Sequence, residues 1–227
     1  MSSEERPVSE RSAIESVYDI AAPGFDDRFA AARETVSRFH IIDDVQRRAA
    51  QGARSVLELG VGTARLLGTI EAPLRAGIDI SLPMLIKARQ KVRNVVRGDA
   101  HNLPFADGSF DAILAGNAVF RYLDYDHAFR EAARVLRVGG RLCLHQYAQW
   151  TLSPRSLFRS RTGDGRHVSE PDELRRPARR YGLTEIDAYF WRNLPFAPYA
   201  LRVPSLLRLW SHLTLVFEKR LTETTVT

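Results

Sequence analysis

The segment Val56–Thr63, with the sequence VLELGVGT, constrains the fold of this chain more than any other feature. Its first four residues are mostly apolar and are typical of a buried strand, and Gly60 and Gly62 follow at once. Glycines at this place let the backbone turn tightly and bring bare N–H groups close to a nucleotide-like ligand. The segment alone is a weak signal, because a G-x-G pair is common and the third glycine of a dinucleotide-binding fingerprint is missing.

Strand and helix patterns alternate after this segment. Strands are predicted at 55–59, 75–80, 94–98, 110–115 and 141–147, and helices at 63–70, 82–92 and 126–137, the last one stopped by Gly139-Gly140. Ser169 is predicted to cap a helix that runs to about Tyr181 and that Pro177 kinks or shortens. Two more strands are predicted at 183–191 and 211–218. This order predicts an α/β fold: a Rossmann-like doubly wound sheet, mostly parallel with an antiparallel last strand, and helices on both faces.

Three acidic residues accompany the ends of the first three predicted strands. Glu58 and Asp79 stand at the ends of the first two strands, and Asp99 follows the third. Because the carboxyl ends of neighbouring parallel strands line one crevice, the three carboxylates are expected to face one ligand. The carboxylate at the end of the second strand, Asp79, can accept hydrogen bonds from both ribose hydroxyls. The carboxylate after the third strand, Asp99, can accept one from an adenine amine. Simpler interpretations stay open, in which Asp79 and Asp99 cap local turns and Glu58 only holds the glycine loop.

Four motifs stand together in one order and spacing: VLELGVGTARLL, GIDISLPMLIKAR, GDAHNLPFADGSFDAI and EAARVLRVGGRLCLHQY. Over about residues 14–147 the chain resembles the class I S-adenosylmethionine-dependent methyltransferases, and among them the ubiquinone/menaquinone-biosynthesis-like group. The resemblance implies S-adenosyl-L-methionine as cofactor, S-adenosyl-L-homocysteine as its product, and in-line transfer of the methyl group to a small-molecule acceptor.

The resemblance also implies roles for individual residues. Four would form the loop at the methionine end of the cofactor: Glu58, Gly60, Gly62 and Thr63. Six would surround the nucleoside or the end of the fourth strand: Asp79 on the ribose, Ile80 and Met84 near the adenine, Asp99 and Ala100 on its edge, and Asn117. Tyr18, in a segment similar to the family's YD-x-x-A…YD signature, would approach the methionine end. Met84 as a plain core residue and Tyr18 on an ordinary amphipathic helix are the alternatives.

A general base is needed only if the acceptor must lose a proton during the reaction. The candidates for catalytic contact are His145, at the end of the fifth predicted strand, and Tyr18, with His101 and Tyr147 also beside the crevice. His145 could equally be a packed, hydrogen-bonded strand residue. In the family the position of Tyr122 lines the substrate pocket. No metal site is predicted, because no paired cysteines, clustered histidines or paired metal-binding acids appear.

Size and composition predict one domain. The chain has 227 residues, 44% of them hydrophobic, enough for a full core. We predict a disordered tail at 1–12, a helical cap at 13–50 broken near Pro23-Gly24, a cofactor-binding core at 51–148, and a lid, an apolar insert and the last strands at 149–227. No charge-free apolar run of about twenty residues is present, and Cys143 has no disulfide partner, so we predict a cytoplasmic protein without a transmembrane segment.

Alternative functions and partners stay open. A nicotinamide-dependent oxidoreductase also has a strand, G-x-G and a later acid, although Arg65 replaces the third glycine. The net charge of +6 suggests a tRNA or rRNA methyltransferase, but the Asn/Asp-Pro-Pro motif that grips a flipped base is absent after the fourth strand, so nucleic acid is not the predicted partner. A non-catalytic cofactor-binding protein is the third alternative. The insert at 194–210 is predicted to wall a pocket for an apolar or aromatic acceptor, with a homodimer contact or a membrane-surface helix as its other interpretations.

Overall fold

The computed structural model describes residues 8–31, 33–116, 119–147, 171–193, 200–202 and 212–221. The described chain begins with α1 (Val8–Ala21), which starts inside the stretch predicted as a tail. A 3-10 turn at Ala22–Gly24 separates α1 from α2 (Phe25–Ala31), and α3 (Arg33–Ala49) follows. The helix break predicted near Pro23-Gly24 is therefore present.

Five parallel strands form the first part of the sheet. They are β1 (Ser55–Leu59), β2 (Leu74–Asp79), β3 (Asn94–Arg97), β4 (Phe110–Ala115) and β5 (Leu136–Tyr147), with the helices α4 (Leu82–Ala88) and α5 (Tyr125–Val135) between them. Neighbouring strands in the order β3-β2-β1-β4-β5 pair in parallel. The strand order reverses at β1, so the carboxyl ends of β1 and β4 flank the point where a doubly wound sheet binds its ligand.

The C-terminal part adds an antiparallel edge. It contains α6 (Pro171–Arg180), β6 (Leu183–Asn193), β7 (Ala200–Arg202) and β8 (His212–Lys219). β8 lies between β5 and β6 and is antiparallel to both, and β7 is antiparallel to β6. The sheet order β3-β2-β1-β4-β5-β8-β6-β7 confirms the predicted doubly wound, mostly parallel sheet with an antiparallel end.

Two local predictions were wrong, and the end of a third helix was predicted correctly. The helix expected at 63–70 is a series of turns with one 3-10 turn at Leu67–Thr69, because Ala64 has φ +55° and the N–H of Leu67 donates to the Glu58 side chain. Gly139-Gly140 lies inside β5, since α5 ends at Val135 and Leu136 is already extended. Helix α6 ends at Arg180, which agrees with the predicted end near Tyr181, and Pro177 lies inside it.

Helices cover both faces of the sheet. Alternate residues of β1 point to opposite faces, so Val56 packs with Val45 of α3, whereas Leu57 and Leu59 belong to the cluster on the other face that contains Phe129 of α5. The Phe129 ring lies 5.0 Å from the Phe120 ring and 5.8 Å from the Phe217 ring, measured between centroids. These two apolar layers hold the parallel strands rigid and leave their carboxyl ends to form a site. No described helix is both long and apolar enough to cross a membrane.

Candidate functional site

A cavity of about 880 Å³ lies at the carboxyl ends of the parallel strands. This volume is in the upper part of the range of roughly 300–1,000 Å³ that small-molecule sites occupy. The cavity is lined by ten of the residues predicted to contact a cofactor: Tyr18, Glu58, Gly60, Gly62, Thr63, Asp79, Ile80, Met84, Asp99 and Ala100. Asn117 lies outside the described residues. The structure thus brings these ten residues together, while the roles assigned to them stay predictions.

The glycine turn after β1 exposes bare backbone to the cavity. Gly60 and Gly62 have φ angles of +62° and +51°, which glycine adopts without the strain that a Cβ atom causes. A Cβ atom on Gly60 would lie 2.6 Å from Cγ2 of Val119, whereas one on Gly62 would meet nothing within 4 Å and would enter open cavity space. The N–H of Val61 donates to the carbonyl oxygen of Ile78 at 3.0 Å and ties the turn to β2. A ligand can therefore approach the backbone closely at Gly62.

Asp79 joins this turn to the start of α4. Its carboxylate accepts hydrogen bonds from the N–H of Gly62 at 2.8 Å and from the N–H of Ser81 at 2.9 Å. Burial raises the pKa of Asp79, and the backbone N–H groups oppose that rise. Each carboxylate oxygen retains a lone pair for a further donor. The position fits a carboxylate that accepts hydrogen bonds from a diol such as ribose.

Glu58 lies deeper, under the glycine turn. Its side chain is buried, its Oε2 accepts a hydrogen bond from the N–H of Leu67 at 3.0 Å, and burial raises its pKa to about 8. The nearby Arg65 favours the charged form of Glu58, but the Arg65 guanidinium is itself engaged in a two-armed ion pair with Asp43. A cationic group that enters the cavity beside Glu58 would therefore draw it into the ionised form.

Asp99 differs from Glu58, because the surroundings of Asp99 lower its pKa and favour the ionised carboxylate. Burial acts to raise its pKa, but the ring and backbone N–H of His101, together with Arg11, lower the pKa to about 2. The N–H of Asp124 donates to Nε2 of His101 at 2.8 Å, so Nδ1 carries the ring proton and donates to Asp99 at 2.6 Å. His101 therefore links the end of β3 to the start of α5, and Asp99 faces the cavity as a carboxylate.

The two candidates for catalytic contact differ in position. Tyr18 lines the cavity, and its hydroxyl is 2.9 Å from that of Tyr122. His145 is fully buried and does not line the cavity, because the rings of His212 and Tyr147 pack against it with centroids 5.4 and 5.7 Å away. Its Nε2 is 3.3 Å from Nδ1 of His212, so His145 takes the packed, hydrogen-bonded position that was its alternative interpretation.

Sequence reasoning assigned no site role to the arginines of this cavity, among them Arg11 and Arg121. Arg11 stands in the segment predicted as a tail. The signal for Arg121 was available, since it is a single charge in the apolar run Ala118–Leu123. Within the described ranges, no three His, Cys, Asp or Glu side chains come close enough together to hold a metal ion. The predicted lid at 149–169 lies outside the described residues, as does the insert at 194–210 apart from β7.

Comparison with known proteins identifies relatives of the central part of the chain. Residues 57–144 match the family described as methyltransferase domain. A demethylmenaquinone methyltransferase of Roseiflexus sp. (strain RS-1) is 33% identical over 144 residues, which are 60% of this chain and 60% of the relative. The chain therefore matches about three fifths of the length of that relative.

Two solved structures share the fold. One is an S-adenosylmethionine-dependent methyltransferase from Thermotoga maritima, with a TM-score of 0.69, 19% identity, and coverage of 90% of this chain and 99% of that one. The other is the [4+2]-cyclase SpnF, with a TM-score of 0.69, 18% identity, and coverage of 97% and 100%. Since one of the two is a cyclase, the fold by itself does not determine the reaction.

Proposed function

We propose that this protein transfers a methyl group from S-adenosylmethionine to a small aromatic acceptor, because residues 57–144 match a methyltransferase domain and a matched relative is a demethylmenaquinone methyltransferase. The observation that carries the proposal is the cavity in which the glycine turn, Asp79 and Asp99 meet. A nucleoside with an amino-acid tail needs these groups in this order along the strand ends: backbone N–H groups and Glu58 for the tail, Asp79 for the ribose and Asp99 for the adenine amine.

The residues present fit this cofactor. The open space at Gly62 leaves room beside the backbone, and the Asp79 carboxylate beside it retains acceptor capacity. Met84 is buried on the first turns of α4 and lines the same part of the cavity, where its flexible thioether can pack against a base. The Asp99 carboxylate is ionised and already oriented by His101.

The acceptor would occupy the part of the cavity beyond the glycine turn, near the ends of β4 and β5. This part is lined by aromatic side chains: Tyr18, Tyr122 and Tyr147. The Tyr18 and Tyr122 rings meet edge to face with centroids 5.9 Å apart, which supports flat walls of fixed orientation. Such walls favour an aromatic acceptor. The relative described as a demethylmenaquinone methyltransferase is named for a ring-containing substrate, a quinone.

The main task of the protein in methyl transfer is to align the acceptor with the methyl group. When bound, S-adenosylmethionine supplies a methyl group on a sulfonium centre that is already activated for in-line displacement. The protein would align the acceptor against Tyr122 and Tyr147 and would exclude water by covering the cavity with α1. The paired hydroxyls of Tyr18 and Tyr122 can hold an acceptor oxygen and relay its hydrogen bond.

Calorimetry with S-adenosylhomocysteine and with NAD tests the cofactor. We expect S-adenosylhomocysteine to bind the full-length protein, and we expect NAD not to compete with it. Preferential binding of NAD would contradict the proposal. Turnover is then measured as S-adenosylhomocysteine formed from S-adenosylmethionine with a panel of phenols, aromatic acids and quinols. Product formed with tRNA but with no small acceptor would move the function to nucleic acid instead.

A further inference from the structure

Arg121 places a positive charge at the acceptor side of the cavity. It stands in the 3-10 turn Val119–Tyr122 after β4. Its Cζ atom lies 4.8 Å from the centroid of the Tyr122 ring and 4.9 Å from that of the Tyr147 ring. One Nη group also donates a hydrogen bond to the Tyr122 hydroxyl at 2.9 Å. The guanidinium is therefore held in one orientation by two aromatic rings.

This charge has no counter-ion in the described part of the chain. The largest interactions of Arg121 with other side chains are with three tyrosines, Tyr122, Tyr18 and Tyr147, and its buried Nε finds no hydrogen-bond acceptor among the described residues. Two other arginines of the same cavity do have carboxylate partners, since Arg65 pairs with Asp43 and Arg11 with Asp99. A partly buried cation without a counter-ion is costly, and an anion that enters the cavity relieves that cost.

Arg121 lies beside the end of β5. The turn that carries it begins at Val119, whose side chain packs against Gly60. The Arg121 guanidinium then lies over the ring of Tyr147, the last residue of β5. Arg121 therefore lies next to the tyrosine walls, where an acceptor would be held.

We propose that Arg121 binds an anionic oxygen of the acceptor, so that the substrates are small aromatic acids or phenolates. This proposal rests on the proposed function and narrows its substrate class. The aromatic ring of the acceptor would lie against Tyr122 or Tyr147, and its carboxylate or phenolate oxygen would accept from the Nη groups at the end of the Arg121 guanidinium, as a planar fork allows. Neutral analogues would leave the cation unpaired and bind more weakly.

The test compares probes that differ only in charge. With S-adenosylhomocysteine at saturation, the dissociation constants of benzoate, benzamide, 1-naphthoate and 1-naphthamide are measured for the wild-type protein and for Arg121→Met, Arg121→Lys and Arg130→Met. Arg130 is an exposed arginine of the same cavity and serves as the matched control. We expect each acid to bind the wild type at least about tenfold more tightly than its amide, the range of one charge-assisted contact. The preference should vanish in Arg121→Met, shrink in Arg121→Lys and persist in Arg130→Met.

The remaining outcomes overturn the proposal. Equal affinity for acid and amide in the wild type, or a preference that survives in Arg121→Met, would do so. The affinities for S-adenosylhomocysteine and for 5′-methylthioadenosine, which lacks the amino-acid tail, are measured on the same variants. If Arg121→Met weakens only the former, Arg121 holds the carboxylate of the cofactor and not the acceptor. If the wild type binds neither nucleoside, the proposed function fails. Arg121→Lys keeps the charge, so it remains informative if Arg121→Met does not fold.

Discussion

At the scale of single residues, two aspartates of the same cavity illustrate how the surroundings decide electrostatic state. Asp79 and Asp99 follow neighbouring strands, and both carboxylates accept hydrogen bonds from backbone N–H groups. Burial prevails at Asp79 and raises its pKa, whereas His101 and Arg11 add enough positive character at Asp99 to lower its pKa. Both residues are aspartates at the ends of neighbouring strands. The opposite shifts of their pKa values therefore come from the residues around them.

Asp79→Asn should weaken the binding of S-adenosylhomocysteine by roughly 10- to 100-fold, because each hydrogen bond to a charged group contributes about 1.5–3 kcal/mol. The amide nitrogen would also oppose the N–H of Gly62 or Ser81, which now donate to the carboxylate. Calorimetry gives the dissociation constant, with Asp44→Asn as control, because the Asp44 side chain is 59% exposed on α3. An Asp79→Asn protein that binds as tightly as the wild type would remove Asp79 from the ribose site.

At the scale of elements, the glycine turn depends on a glycine in the neighbouring strand. A Cβ atom on Gly77 of β2 would lie 2.7 to 2.9 Å from all three atoms of the Val61 side chain beyond Cα. Val61 is buried and holds the middle of the turn between Gly60 and Gly62. Strand and turn can therefore pack only because residue 77 has no side chain.

Gly77→Ala should lower the free energy of unfolding by about 1–3 kcal/mol, the usual cost of overpacking a core. It should also weaken the binding of S-adenosylhomocysteine, because Val61 must move and the turn moves with it. Urea denaturation and calorimetry measure the two effects. Gly68→Ala is the control, since its nearest contact would be Cβ of Lys91 at 3.4 Å. Equal free energies of unfolding for the two variants would show that the turn can move to accommodate the added Cβ atom without loss of stability.

Also at this scale, α1 and α2 are fastened to the sheet by polar contacts far apart in sequence. Ser81 Oγ donates to Asp19 and Thr63 Oγ1 donates to Asp26, both at 2.6 Å, and Glu15 forms an ion pair with Arg97. These contacts place the N-terminal helices as one wall of the cavity. None of them could be predicted from local patterns, because each joins residues separated by 37 to 82 positions.

At the scale of the whole molecule, several arginines of a chain with a net charge of +6 pair with carboxylates. Arg175 pairs with Glu185, Arg180 with Asp126, and Arg134 with both Glu131 and Asp107. In these pairs the carboxylate offsets the positive charge of the arginine locally.

The stability of the whole molecule should depend on pH through Glu58. Its pKa is about 8 in the folded state and near 4.5 when exposed, so between these values the folded state holds a proton that the unfolded state has lost. The free energy of unfolding therefore falls as pH rises from 5 to 8. Glu58→Gln mimics the protonated form and should show a weaker decline in urea denaturation at pH 5, 6.5 and 8. Glu71→Gln, at an exposed position, should keep the wild-type slope; identical slopes for Glu58→Gln and wild type would contradict the role of burial.

The accuracy of prediction differed between strands and turns. The strands 55–59 and 110–115 were predicted with the bounds that the structure has, because short buried apolar runs leave few other interpretations. The segment 63–70 was misassigned, because its helical apolar spacing is overridden by the bond between Glu58 and the N–H of Leu67. His145 could not be placed from its strand position, since packing against His212 and Tyr147 decides whether it reaches the cavity.

The sequence by itself determined the sheet class and which strand ends carry the glycines and acids, because periodicity and turn residues act over short distances. Only the tertiary structure decided the state of those acids, the wall that α1 contributes, and the position of the Arg121 charge between two tyrosine rings. Burial, ion pairing and ring contacts depend on residues far apart in the chain. They arise only when the folded sheet brings the ends of β4 and β5 and the N-terminal helix to one cavity.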